Sequence, residues 1–228
     1  SCPLTTALLP VLAPALLLGS MLPGPLSGRQ ADVPPAARGA GSWDDLYRSA
    51  FSFQDFLAEA ERRTETWHGN YDGGTLDDAL LAQAGRIPGA WRLLVVAEDW
   101  CGDSANTLPY VARLGEALEN LEVRVVNSEV GRGVMEAYPT PDGRGATPTM
   151  LLLAPDGAEA GCLVEQPHDL QTWWLGEARQ ITDEEERFRR KYAWYEADGG
   201  ESTVREVVAL MEAAAGGMRI CRAGAPLR

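Results

Sequence analysis

No two of the four cysteines, Cys2, Cys101, Cys162 and Cys221, are close neighbours in the 228-residue chain. That absence excludes a CxxC dithiol, a zinc knuckle and a disulfide-dense framework. The count is even, so Cys162 and Cys221 can pair in an oxidising compartment, and their spacing leaves the question open. Histidine is scarce too. His68 and His168 stand far apart and outside any HExxH-like pattern, which reads as two ordinary residues rather than ligands. Clustered basic charge is missing: the formal net charge is -13 and the isoelectric point about 4.6. Such acidity excludes nucleic acid as an expected partner and disfavours charge-driven docking on anionic lipid.

Charge is absent altogether from Ser1 to Gly28. Inside that stretch Leu4 to Leu22 is strongly apolar. As a helix it would span about 28 Å, close to the hydrocarbon thickness of a bilayer. Pro10 and Pro14 lie within it, which membrane helices tolerate when neighbours re-satisfy the backbone. Three readings stay open: a retained anchor, a cleaved secretory signal, or a miscalled start. Residues 29–42 are rich in Pro, Gly and Ala and read as a linker. The expected organisation is thus 1–28 hydrophobic segment, 29–42 linker, 43–215 folded domain and 216–228 tail.

What is present is an ordinary core-building complement, 45% hydrophobic with seven Trp and six Tyr. Ser52 is placed to cap a helix carrying Phe53, Phe56, Leu57, Ala60, Thr64 and Trp67 on one face. Gly69 to Gly74 should break it, and Thr75 should cap a second helix from Leu76 to Ala84. Arg92 to Ala97 is a continuous apolar run of the kind found in a buried strand. A helical stretch from Thr107 to Leu118, a strand from Val123 to Val126 and a short helix from Val130 to Tyr138 follow. Thr149 to Ala154, the Asp156-Gly157 turn and Ala160 to Val164 read as a hairpin. Thr182 to Glu185 and Thr203 to Glu206 read as capping boxes for two late helices. The first of these helices presents Glu184 to Lys191 as a solvated charged face. The pattern predicts an α/β fold with a mixed sheet between helices.

Trp100-Cys101-Gly102-Asp103-Ser104 follows the first apolar strand and opens a helix. A cysteine there meets unpaired N–H groups and the positive end of the helix dipole, which favour a thiolate. Pro109 lies eight residues on, and Ala146-Thr147-Pro148-Thr149 precedes the hairpin. From about Leu93 to Val164 the chain resembles the thioredoxin superfamily. Trp91, Glu98 to Asp103 and Tyr192 to Glu196 look like bacterial thioredoxin-like proteins with W-C-G-D motifs. The resemblance implies a thioredoxin-like three-layer sandwich with extra N- and C-terminal helices. It also implies Cys101 as the nucleophile position, Pro109 as a helix kink, and Thr147 and Pro148 as a cis-proline loop beside the sulfur.

The departures from that family matter for function. Ser104 stands where a resolving cysteine would, so no disulfide forms within the motif. Val95 stands where thioredoxins keep a buried acid. Glu98, Asp99 and Asp103 put three carboxylates near one sulfur, opposing the thiolate. The expectation is a non-catalytic or weakly redox-active protein without cofactor or metal, an accessory subunit of a larger bacterial membrane assembly. It would meet membrane-protein subunits or lipid through residues 4–22 and protein partners on its surface, with the domain on the periplasmic side. The alternative is a monothiol oxidoreductase working through mixed disulfides at Cys101, soluble if the leader is cleaved.

Overall fold

The computed structural model describes residues 43–222; the hydrophobic segment 1–28 and the linker 29–42 lie outside the described residues, as does the chain after 222. In order the elements are α1 (Trp43–Ser49), β1 (Phe51–Ser52), α2 (Phe53–Glu59), α3 (Thr64–Gly73) and α4 (Asp78–Ala84). Then come β2 (Trp91–Val96), α5 (Gly102–Ala117), β3 (Leu121–Val126), α6 (Arg132–Ala137), β4 (Thr149–Leu153) and β5 (Glu159–Val164). α7 (His168–Leu175), a 3-10 turn (Glu177–Gln180), α8 (Glu184–Asp198), α9 (Glu201–Ala215) and β6 (Ile220–Arg222) close the series.

The strands form one mixed sheet in the order β1-β3-β2-β4-β5-β6. β2 runs parallel to β3 and antiparallel to β4, and β4 pairs antiparallel with β5. The apolar run of β2 is explained by burial on both faces. Leu93 and Val95 point into a core with α3, α5 and α9, whereas Leu94 and Val96 point into a second core with α1 and α6. A strand covered on both sides has no solvent face on which to alternate. The result is helix, sheet, helix in three layers, an α/β thioredoxin-like fold.

Pro109 sits inside α5. It has no N–H to offer the carbonyl of Ala105 four residues back. The Asn70 side chain of α3 donates to that carbonyl at 2.8 Å, and its own oxygen accepts from Tyr110 Oη at 3.1 Å. This tie holds α3 in helical form through Gly73, so the expected break at Gly69 to Gly74 is corrected to Gly74. The single helix expected from Phe53 to Trp67 is also two, split at residues 60–63. There Asp99 accepts the backbone N–H groups of Glu61 and Arg62 at 2.9 and 3.0 Å, and Arg63 Nε donates to the Trp100 carbonyl at 2.6 Å.

Three capping assignments change. Asp183, not Thr182, caps α8, accepting from Glu185 N at 3.0 Å and Glu186 N at 3.3 Å. Asp77, not Thr75, caps α4, accepting from Leu80 N at 2.7 Å. α9 starts at Glu201 behind the left-handed Gly200, so Thr203 and Glu206 are not a capping box; Glu206 instead accepts from His168 N at 2.7 Å. A side chain at Gly200 would run into the ring of Tyr110. Part of the expected tail at 216–228 is folded: β6 pairs in parallel with β5, with Cys162 opposite Cys221. The two are joined by a disulfide, their Cα atoms 4.3 Å apart. Closing a loop across a sequence separation of 59 stabilises by about 4 kcal/mol in a chain-entropy estimate.

Candidate functional site

β2, an interior strand, delivers Glu98 to Trp100 to the end of the sheet at which it stops, where Cys101 is the N-cap of α5. At that position its Sγ accepts from Ser104 N at 3.5 Å and donates to the Thr147 carbonyl at 3.1 Å. The Thr147–Pro148 bond is cis. The chain order that separates residue 101 from residue 147 is thus undone by the β2–β4 pairing, which brings Cys101, Ser104, Thr147 and Pro148 into one place. The Thr147 carbonyl thus supplies an acceptor for the Cys101 S–H. Cys101 keeps only 8% of its surface, whereas the preceding Trp100 is 52% exposed.

Ser104 is fully buried, and its hydroxyl has no partner among the described residues. Val95 lies in the apolar cluster, with no acid at that position. The three carboxylates do not crowd the sulfur as expected; each is drawn to other partners. Glu98 accepts from the backbone and hydroxyl of Ser128, and Asp99 holds the residues 61–62 turn. Asp103 is buried and accepts from Lys191 Nζ at 2.7 Å, Tyr195 Oη at 2.8 Å and Gln166 Nε2 at 3.5 Å.

Lys191 and Tyr195 were not legible as site residues from periodicity. The stretch from Glu184 to Lys191 reads as a solvated face, and the Glu186 pairs with Arg189 and Arg190 fit that reading. Lys191, however, is on the inner side of α8, 4% exposed. It is also the only lysine in the sequence, a signal that a reading by helical pattern passes over. Four residues on, Tyr195 points the same way. α8 thereby lies across the motif, and a side chain at Gly102 would collide with Tyr192. Arg63 packs on the Tyr192 ring from α3's side, 5.7 Å from its centroid.

Burial, then the charge of Asp103 and its hydrogen bond, holds the Tyr195 phenol well above its ordinary pKa of 10.0. The unfolded chain releases that proton near the ordinary value, so the folded state alone retains it at higher pH. Stability from this group is therefore whole below pH 10.0 and falls as the pH rises above it. Urea midpoints measured against pH should show the decline, and Tyr195→Phe should flatten part of it. The remainder belongs to phenols such as Tyr110, which burial raises in the same way.

No group of three or more His, Cys, Asp or Glu among the described residues is placed to hold a metal ion. Among the same residues no helix is long and apolar enough to cross a membrane.

In comparisons with known proteins, no curated protein matches this chain. Among solved structures, a protein of unknown function from Pseudomonas aeruginosa aligns over 77% of this chain and 99% of its own, with 22% identity and a TM-score of 0.57. An HIV epitope scaffold aligns over 75% of this chain and 98% of its own, with 20% identity and the same TM-score of 0.57. These two likenesses speak to the fold alone. The sequence pattern of the family described as Thioredoxin matches residues 50–186, more than half of the chain. That span runs from β1 into α8 and contains the N-cap cysteine, the helix with Pro109 inside it and the cis-proline loop before β4, and on this ground the chain belongs to the thioredoxin family.

Proposed function

We propose that this thioredoxin-family domain is a binding module that does not turn over disulfides, serving as an accessory subunit of a larger bacterial membrane assembly. The observation that carries the reading is the closed state of Cys101. Its sulfur is buried and hydrogen-bonded on both sides, its partner position is a serine, and the adjacent Asp103 is consumed by the contact with α8. Fold membership by itself says little about activity. Residues 4–22 would be the tether, by lipid contact or by packing on membrane-embedded subunits, with the domain on the periplasmic side.

A second reading rests on the 3.1 Å approach of Cys101 to the Thr147 carbonyl beside the exposed Trp100. A monothiol there would attack a partner disulfide, form one new S–S bond to Cys101 and release the partner's other sulfur as a thiol. The two readings part on one comparison. Protein purified from native membranes in mild detergent should keep its associated subunits when Cys101→Ser is introduced, and should reduce no insulin with dithiothreitol. Loss of the subunits in Cys101→Ser, or robust insulin reduction by the unmodified chain, would overturn the binding-module reading.

A further inference from the structure

Next to the motif, between α7, α8 and the start of the chain after β5, lies an open cleft of about 440 Å³. Its charges reverse the sign of the molecule. Four cations, Arg144, Arg179, Arg187 and Lys191, line it against three carboxylates, Asp103, Asp142 and Glu165, in a chain whose formal net charge is -13. Every carboxylate of the cleft is occupied. Asp103 takes Lys191 at 2.7 Å, Asp142 takes Arg144 and Arg179 at 3.1 Å each, and Glu165 takes Arg144 at 3.2 Å.

Arg187 is left over. Its guanidinium makes no hydrogen bond or ion pair among the described residues, and its Nε is buried without a partner. The group instead stands over two rings, 5.3 Å from the centroid of Trp174 and 6.0 Å from that of Phe188. Lys191 Nζ lies 4.5 Å from the same Trp174 centroid. A half-buried guanidinium has lost much of its water and, in a protein rich in carboxylates, has been given none. Such a donor is costly unless something supplies acceptors. Its fork matches a two-oxygen anion, and Trp174 and Phe188, which line the cleft with it, offer an aromatic wall to a flat apolar group.

The geometry points to this cleft as the binding site of a small planar carboxylate, its oxygens taken by Arg187 and its flat body packed against the aromatic wall that Trp174 and Phe188 form. The site lies beyond the motif's thiol and does not require any redox step. The probes are benzoate and inorganic phosphate, titrated calorimetrically into the full chain. Benzoate should bind, and Arg187→Gln should weaken it about tenfold or more, the range expected for losing a charge-assisted hydrogen bond. Arg187→Lys, which keeps the charge and loses the fork, should recover only part. Trp174→Leu should weaken benzoate and leave phosphate little changed. In the unmodified protein the Arg187 Nε–H resonance should move on adding benzoate, a readout that no folding defect in a variant can mimic. Absence of binding with a static Nε–H resonance, equal affinity in Arg187→Gln, or phosphate bound more tightly than benzoate would overturn the assignment.

Discussion

Ser104→Cys is expected to create a disulfide with Cys101 in a motif that has none. The two positions lie on one turn, with Ser104 N already 3.5 Å from the Cys101 sulfur. The serine hydroxyl has no partner to lose among the described residues, so replacing it leaves no orphaned group behind. The cost is limited to fitting a larger sulfur into a fully buried position, typically about 1–3 kcal/mol. Oxidised glutathione supplies the oxidant: two thiols lose two hydrogens and one glutathione disulfide is reduced. In a Cys2→Ser background, the treated variant should show no reactive thiol and the mass of two hydrogens fewer. The same variant should gain dithiothreitol-driven insulin reduction that the parent lacks. Two thiols persisting after oxidation would mean that the first turn of α5 is not positioned as described.

Lys191→Met should be the most destabilising single change at the site, by about 3–5 kcal/mol, because it strands the buried Asp103 carboxylate. Tyr195 and Gln166 remain to donate to Asp103, so the loss is not expected to exceed that range. The effect comes from uncompensated charge rather than from the pair's own attraction. The double variant Asp103→Asn with Lys191→Met should therefore recover much of the stability. Urea unfolding of the four proteins in this cycle measures the coupling. If Lys191→Met and the double variant are equally unstable, packing of the α8 stem, and not the stranded carboxylate, is what matters.

The parts of the fold set by local signals are legible in the sequence. β2 is continuous because it is buried on both faces, Pro109 sits in α5, and Asp156-Gly157 turns the hairpin with Gly157 at a positive φ of 85°. The parts that were missed are set by contacts between distant segments. Nothing within residues 53–67 says that the helix must break, since the break is stabilised by Asp99 some 38 positions away. β6 is three residues long, too short to carry a periodicity, and is held by a sulfur bridge and by pairing with β5. At the site, Cys101, Ser104, Thr147 and Pro148 follow from a motif. Lys191 and Tyr195 do not, because a charged helix shows four-residue spacing whether a given lysine faces water or a buried aspartate 88 residues away.

The closed thiol is tested most directly by its labelling rate. In a Cys2→Ser background, with the Cys162–Cys221 bridge intact, Cys101 is the thiol available to an aromatic disulfide reagent. The native protein should react at least about a hundredfold more slowly than the urea-unfolded chain, because reaction then waits on a local opening of several kcal/mol. Lys191→Met, which loosens α8 from the motif, should react faster than the parent. A native rate equal to or above that of the unfolded chain would contradict the closed site and establish Cys101 as a working nucleophile.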